Sequence, residues 1–143
     1  MQLPDKIKSK HFLICDDYES MRTMISDSLT QLGVVKISTA KSGNEGFKII
    51  ESQLKLDPVE FVITDLMMED GSGIDLVKLI RADAQAKVLP VLMVTSKSEV
   101  SYVLESIRAG VNNYIVKPWA TEDLMKRIIE VDEKVSKTLG SGT

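Results

Sequence analysis

The chain has very little cysteine or histidine, and this shortage excludes several kinds of site. Cys15 is the only cysteine and His11 the only histidine. A lone cysteine cannot form a disulfide within the chain, and its place in the apolar stretch HFLIC is typical of a small buried side chain. Clustered His and Cys ligands, which soft metal ions prefer, are therefore excluded.

The sequence also lacks a basic excess and a long hydrophobic run. Its 18 basic residues stand against 21 acidic ones, for a net charge of -3, so direct nucleic-acid binding is disfavoured. No apolar run is long enough to cross a membrane, and the first residues lack a signal-peptide pattern. We therefore expect a cytoplasmic protein without membrane insertion, whose partners are proteins or small ions.

The length of 143 residues is that of one domain with one core. We expect a polar lead-in over residues 1–10, a folded domain over residues 11–138 and a flexible tail over residues 139–143.

Five short runs rich in Val, Ile and Phe predict buried strands: HFLIC, VVKIST, EFVIT, PVLMVT and NYIV. Segments of helical period lie between them, and we expect their apolar stripes to face the core. The clearest stripes consist of Met21, Met24, Ile25, Leu29 and Leu32; of Val100, Val103, Leu104 and Ile107; and of Leu124, Ile128, Val131 and Val135. The alternation predicts an α/β fold, a doubly wound parallel sheet with helices on both faces.

Polar side chains stand where the predicted strands end. They are Asp16 and Asp17 after the first strand, Asp65 at the third, Thr95 at the fourth and Lys117 after the fifth. The carboxyl edge of an open parallel sheet is where ligands bind. We therefore expect these five residues to share one pocket.

Three carboxylates in one pocket repel each other, and a single lysine cannot neutralise them all. A hard divalent cation would, and a loose set of oxygen ligands suits Mg²⁺. An acidic strand edge that only favours solubility is the alternative. A metal-held carboxylate beside a Lys and a Thr is typical of nucleophilic attack on phosphorus, with Asp65 as the nucleophile. His11, the only histidine, begins the first strand, at the end opposite the pocket, so we do not expect it to take part in the chemistry. If the phosphoryl group comes from a phosphohistidine, that histidine must belong to another protein.

The stretches CDD, ITD, VTS and YIVKPW, at these strand ends, resemble the receiver domain of bacterial response regulators. The likeness covers nearly the whole chain, and it is greatest to single-domain, chemotaxis-type (CheY-like) members, because no output domain follows Leu139. The resemblance implies a flavodoxin-like (βα)₅ three-layer sandwich with five strands in the order 2-1-3-4-5.

The resemblance also assigns roles to single residues. Asp65 matches the phosphoacceptor, and Mg²⁺ would be held by Asp16, Asp17, Asp65 and the backbone carbonyl of Met67. Lys117 and Thr95 would each bind a phosphoryl oxygen.

Further positions match the family's switch and the side chains that set its phosphoryl lifetime. Tyr114 matches the aromatic switch residue that responds to Thr95, and Lys117–Pro118 matches a cis peptide. Met67 and Lys97 stand two residues after Asp65 and two after Thr95, at the positions that orient or block the hydrolytic water.

The implied function is a phosphorylation-activated switch of a two-component system. A partner histidine kinase would phosphorylate Asp65 and thereby alter a surface built from the fourth helix, fifth strand and fifth helix. The target would be the flagellar motor switch or another signalling protein, in chemotaxis or motility control. We expect a monomer that catalyses only its own phosphorylation and dephosphorylation and is not otherwise an enzyme.

Three alternatives remain open at the level of sequence. The first is a Mg²⁺-dependent phosphatase of the haloacid dehalogenase type, although such enzymes need a second acid two residues after the nucleophile, where this chain has Met67. The second is a receiver that no longer takes phosphate and acts as a scaffold. The third is the N-terminal receiver fragment of a longer regulator.

Overall fold

The strands form a single parallel sheet. A computed structural model of the chain describes residues 1–141, except for the side chains of residues 97, 98, 100, 140 and 141. The strands are β1 (Phe12–Cys15), β2 (Ile37–Ala40), β3 (Phe61–Asp65), β4 (Val91–Thr95) and β5 (Asn113–Val116). They pair in the order β2-β1-β3-β4-β5, and every neighbouring pair is parallel. The predicted fold class and strand order are confirmed.

The helices alternate with the strands. They are α1 (Asp5–Lys8), α2 (Glu19–Gln31), α3 (Gly43–Gln53), α4 (Gly73–Ala82), α5 (Val103–Ala109) and α6 (Thr121–Ser141), with a 3₁₀ segment, Lys97–Tyr102, leading into α5. Because α1 precedes the first strand, the predicted fourth and fifth helices are α5 and α6. The tail expected over residues 139–143 begins inside α6, and its residues 142 and 143 lie outside the described part of the chain.

Two apolar layers cover the two faces of the sheet. Alternate strand residues such as Ile14 and Ile63 pack in one cluster with the buried faces of α2 and α6. Their neighbours Leu13 and Val62 pack in the other cluster, with α3 and α4. The inner strands β1, β3 and β4 are buried at every position, which explains their nearly continuous apolar runs, whereas the edge strands β2 and β5 are only partly buried. The helices on both faces confirm the three-layer arrangement.

The predicted helical stripe of α6 agrees with the structure, whereas that of α5 does not. In α6, Leu124, Ile128 and Val131 are buried as expected. In the stripe that includes α5 the prediction is wrong for Leu104 and Ile107, which are 58% and 48% exposed. Val103 is half-buried, and the side chain of Val100 lies outside the described part of the chain. The inward face of α5 carries the fully buried Ser106, whose hydroxyl donates to the carbonyl of Val103 at 2.7 Å and so tolerates burial.

A smaller difference concerns α2. Ile25, Leu29 and Leu32 are buried as predicted, whereas Met24, from the same stripe, is exposed. Met24 directly precedes Ile25, so a regular helix turns it about 100° away from the buried side.

Two of the ten N-terminal residues pack into the core. Leu3 and Ile7 are buried beside α2 and α6, and the N–H of Leu3 donates to the carbonyl of Leu32 at 2.9 Å. Lys10 Nζ lies 2.7 Å from Oδ1 of the buried Asp132 in α6. The predicted lead-in is therefore part of the same packed unit as the domain.

His11 lies at the edge of the sheet opposite the predicted site. It is buried there. Its Nδ1 lies 2.8 Å from the carbonyl of Asp57 and its Nε2 lies 2.7 Å from the hydroxyl of Ser38. These two partners explain how a polar ring is accommodated there.

None of the helices within residues 1–141 combines the length and the apolar character needed to cross a membrane.

Candidate functional site

Three carboxylates meet at the carboxyl edge of the sheet. Asp16 and Asp17 follow β1, Asp65 ends β3, and these two strands are paired neighbours. One oxygen from each carboxylate lies within 4.8 Å of the others. The structure thus brings together the three acids that the sequence predicted would share a pocket.

Lys117 approaches the cluster from the end of β5. Its Nζ lies 3.3 Å from Oδ1 of Asp65 and 3.7 Å from Oδ2 of Asp16. The N–H of Lys117 donates to the carbonyl of Thr95 at 2.7 Å, which continues the pairing of β4 with β5, and the peptide bond to Pro118 is cis. One lysine therefore contacts two of the three acids.

Backbone donors hold the carboxylates of Asp65 and Asp16 in place, and a side-chain donor holds the backbone of Asp16. The N–H of Leu66 donates to Oδ1 of Asp65 at 2.8 Å, and the N–H of Tyr18 donates to Oδ1 of Asp16 at 2.9 Å. Arg22 in α2 donates from Nη1 to the backbone carbonyl of Asp16 at 2.8 Å. The orientations of the Asp65 and Asp16 carboxylates are thus set by backbone N–H groups that follow them in the chain.

The electrostatics of the cluster are unfavourable without a cation. The pKa of Asp65 is raised to about 6, first by burial and second by the charge of Asp16, while Lys117 and the Leu66 N–H oppose the rise. Burial also raises the pKa of Asp16, against the hydrogen bond from Tyr18 and the charge of Lys117. A carboxyl group with a pKa of about 6 is mostly ionised at neutral pH.

Two buried oxygens of the cluster have no hydrogen-bond donor among the described residues, namely Asp16 Oδ2 and Asp17 Oδ1. Lys117 forms an ion pair with Asp16 Oδ2, but 3.7 Å is too long for a hydrogen bond. An acceptor left in this state is costly unless a ligand satisfies it. Carboxylate oxygens at this spacing fit a hard divalent cation such as Mg²⁺.

Thr95 lies at the same edge but bonds away from the acids. It is fully buried at the end of β4, the strand beside β3. Its single hydroxyl proton has two acceptors within reach, the carbonyl of Ser96 at 3.3 Å and Oε2 of Glu99 at 3.5 Å. The fold therefore brings the predicted residue to the site's edge, with its hydroxyl engaged by the segment that leads into α5.

Comparison with known proteins gives the family. Residues 12–129 match the model of the response regulator receiver domain. This chain belongs to the response regulator receiver family. The match includes all of the polar strand-end residues described above, and it gives no support to the phosphatase alternative.

Several similar proteins are named as chemotaxis proteins. The chain is 36% identical to the chemotaxis protein CheY of Pseudomonas aeruginosa, over 87% of this chain and 97% of that one. It is 37% identical to CheY-3 of Vibrio cholerae, over 90% of this chain and 95% of that one. Among solved structures, CheY4 of Vibrio cholerae superimposes with a TM-score of 0.74 at 28% identity, covering 86% of this chain and 98% of that one.

In this receiver domain the predicted switch residue Tyr114 lies half-buried in β5. It packs against the apolar layer that contains α3 and α4. The guanidinium of Arg127 in α6 lies over its ring, 5.9 Å from the centroid, and Arg127 Nη1 donates to Asn113 Oδ1 at 3.2 Å. The ring is thus contacted by both the core and α6.

Of the two side chains predicted to set the phosphoryl lifetime, Met67 belongs to the described part of the chain. Met67 follows Leu66 in the loop after β3 and is 44% exposed. The side chain of Lys97 lies outside the described part of the receiver.

Two residues that contact the receiver site were not foreseen from the sequence. Arg22 fixes the loop after β1, and Glu99 accepts the hydroxyl of Thr95. Glu99 lies in the 3₁₀ segment after β4, and its contact with Thr95 follows no periodic pattern, because Thr95 itself ends a strand. Arg22 carries no such signal either, because its partner is a backbone carbonyl.

Proposed function

We propose that this receiver domain is a phosphorylation-activated switch of a two-component system, with Asp65 as the phosphoacceptor. The observation that carries the proposal is the pair of buried oxygens without donors, Asp16 Oδ2 and Asp17 Oδ1, beside Asp65 and Lys117. That arrangement suits a divalent cation and a phosphoryl group together, and it has no evident structural purpose without them.

The reaction begins with the ionised carboxylate of Asp65. One of its oxygens attacks the phosphorus of a phosphohistidine on a partner kinase. The bond from phosphorus to nitrogen breaks, and the imidazole leaves with a proton from solvent. A Mg²⁺ held by Asp16, Asp17, Asp65 and the carbonyl of Met67 would neutralise charge on the transferring group. The domain catalyses its own phosphorylation and dephosphorylation and turns over no other substrate.

Lys117 and Thr95 bind the phosphoryl oxygens in this proposal. Lys117 already contacts Asp65 and can move from the carboxylate to a phosphoryl oxygen over a short distance. Thr95 must release Glu99 to do the same. Because Glu99 belongs to the 3₁₀ segment that leads into α5, this exchange would loosen that segment and let Tyr114 reorient.

The target-binding surface in this proposal is built from α5, β5 and α6. Leu104 and Ile107 on α5 are exposed apolar side chains, which a partner could cover. The similar proteins are named as chemotaxis proteins, which supports a flagellar motor switch or another signalling protein as the target. We further propose that the domain is a cytoplasmic monomer that neither binds nucleic acid nor inserts into membranes.

Acetyl phosphate labelling tests the proposal. Purified protein with Mg²⁺ and acetyl phosphate should gain one base-labile phosphoryl group, seen by intact mass spectrometry. Asp65→Asn should abolish the gain, whereas Glu69→Gln, a neutralised acid in the same loop, should keep it. Undiminished labelling of Asp65→Asn would overturn the assignment.

A further inference from the structure

The loop after the phosphoacceptor, residues 66–72, is fastened to the start of α3. The N–H of Gly43 donates to the carbonyl of Gly71 at 2.8 Å, and the N–H of Asn44 donates to the carbonyl of Asp70 at 3.3 Å. These bonds join segments about 26 residues apart in sequence, since Asn44 and Asp70 are separated by that number. The loop therefore depends for its position on a helix that supplies no residue to the site.

Side chains reinforce this junction through Asp70. Asn44 donates from Nδ2 to Oδ1 of Asp70 at 2.9 Å, and the hydroxyl of Ser42 lies 3.5 Å from Oδ2 of the same carboxylate. Ser42 also accepts the N–H of Glu45 at 3.0 Å and so caps α3. Both oxygens of Asp70 are thus directed at the N-terminus of α3, where a negative charge is favourable.

At this junction the two backbone segments approach each other closely, and one residue adopts an unfavourable conformation. Asp70 has φ 57°, in the left-handed region that few residues other than glycine adopt. A Cβ atom on Gly43 would lie 2.7 Å from the carbonyl oxygen of Gly71. Aspartate tolerates the left-handed region better than most residues, particularly when its side chain finds local partners. The contacts of Asp70 therefore compensate for an unfavourable conformation.

The same loop carries two groups of the proposed site. It begins with Leu66, whose N–H donates to Asp65 Oδ1 at 2.8 Å, and continues with Met67, whose carbonyl is the proposed Mg²⁺ ligand. The carbonyl of Leu66 accepts the N–H of Gly73 at 2.9 Å, which fastens the loop to α4 at its other end. With Asp70 held by α3 and Leu66 held by α4, residue 67 lies between two fixed points.

We propose that Asn44 and Asp70 form a positioning pair that presents the Met67 carbonyl and the Asp65 carboxylate to the divalent cation. Neither residue touches the cation or the phosphoryl group. The proposal rests on the proposed function, because it concerns how tightly the same site holds Mg²⁺.

Isothermal titration calorimetry with MgCl₂ on the full chain tests the pair. Asn44→Ala and Asp70→Ala should each raise the Kd for Mg²⁺ about fivefold, the effect of losing one hydrogen bond. Asp70→Asn can still accept from Asn44 and tolerates the same φ, so its Kd should stay within about twofold of the parent's. The double variant Asn44→Ala, Asp70→Ala should have the same Kd for Mg²⁺ as Asp70→Ala, because the contact that the two residues share can be lost only once.

Amide hydrogen exchange without metal gives a second readout. In Asn44→Ala the amides of residues 66–72 should exchange faster, while the buried strands exchange as in the parent. Asn44 is exposed, so this variant should fold even if Asp70→Ala does not.

The outcomes separate the two proposals. A parent protein that binds no Mg²⁺ would overturn both of them. If the parent binds Mg²⁺ and the alanine variants match it, the pair has no positioning role and the proposed function stands. An equal loss in Asp70→Asn and Asp70→Ala would assign the effect to charge and would likewise overturn the pair.

Discussion

The Nζ atom of Lys117 lies 3.3 Å from Oδ1 of Asp65, although 52 residues separate them in the sequence. In the absence of a cation, this contact is the main attraction that offsets the repulsion between Asp65 and Asp16. It does not offset the full effect of burial, because the pKa of Asp65 is still raised to about 6. The charged form of Asp65 is therefore disfavoured in this site, and a bound cation would favour it.

The raised pKa of Asp65 predicts that the stability of the fold depends on pH. Because folding raises the pKa of Asp65 from 3.8 to about 6, the folded state binds the proton more tightly than the unfolded chain. The free energy of unfolding should therefore fall as pH rises through this window. In metal-free buffer at pH 7, Asp65→Asn should be more stable than the parent by about 2 kcal/mol, and the gain should largely vanish at pH 4. Urea unfolding at both pH values measures it.

The control for this prediction is Asp27→Asn, an exposed acid in α2. This change removes a negative charge from an exposed position, so it should produce no such pH-dependent gain in the free energy of unfolding. A gain for Asp65→Asn that is equal at both pH values would contradict the titration argument.

Trp119 should report on the metal. It is the only tryptophan of the chain, lies two residues after Lys117 and is half-buried. Its fluorescence should change on Mg²⁺ addition, and Asp17→Ala should raise the Mg²⁺ concentration at half-change by tenfold or more, through loss of a charged ligand. Asp27→Ala, with the same loss of charge at an exposed position, should shift it far less. An unchanged titration in Asp17→Ala would show that this acid is not a ligand.

The phosphoryl lifetime should depend on Met67 and Lys97. Neither side chain is a carboxylate or amide that could hold the attacking water, so we expect slow hydrolysis in the parent. The double variant Met67→Asn, Lys97→Glu should dephosphorylate roughly tenfold faster, since one positioning hydrogen bond of about 1 to 1.5 kcal/mol is gained. Loss of label after removal of acetyl phosphate gives the rate. A rate equal to the parent's, or slower, would mean that these side chains do not set the lifetime.

Leu104 and Ile107 should matter for binding and little for stability. Both are about half exposed, so alanine at either position should change the free energy of unfolding by less than about 0.5 kcal/mol. Their loss should nevertheless weaken capture of the target by the beryllofluoride-activated protein in a pull-down. Leu56→Ala, an exposed apolar residue outside this surface, is the matched control. Equal capture by all three variants would place the target elsewhere.

Ile7 should contribute to stability as a core residue does. It is buried although it lies in a four-residue helix near the N-terminus. Ile7→Ala should lower the free energy of unfolding by about 3 kcal/mol, because a large apolar side chain leaves a cavity. Chemical denaturation measures it, with Leu56→Ala as the exposed control. A loss below about 0.5 kcal/mol would show that α1 is not part of the packed core.

The strands and the acid cluster could be predicted because both follow from local pattern. Continuous apolar runs such as FVIT identify a strand buried on both faces, and parallel alternation then brings Asp65 to the same edge as Asp16 and Asp17. The outward face of α5 could not be predicted, because helical period reveals a stripe without showing whether anything covers it. The contact of Asn44 with Asp70 joins two polar residues far apart in sequence and leaves no periodic signal.

The packing of the N-terminal segment could not be predicted from the sequence, for a related reason. Leu3 and Ile7 are two apolar residues in a polar decapeptide, too few to establish a period. Their burial depends on α2 and α6, which lie elsewhere in the chain.

The contact between Lys10 and Asp132 has a practical consequence for protein engineering. Receiver modules are attractive parts for chimeric sensors, in which one input domain is exchanged for another at a chosen junction. A graft that started at β1 would remove Lys10 and also Lys6, whose Nζ lies 4.0 Å from Asp132, and would leave the buried Asp132 carboxylate without either cation. It would also uncover the apolar patch that Leu3 and Ile7 protect. A junction placed ahead of Leu3 would transplant the switch together with the segment that stabilises it.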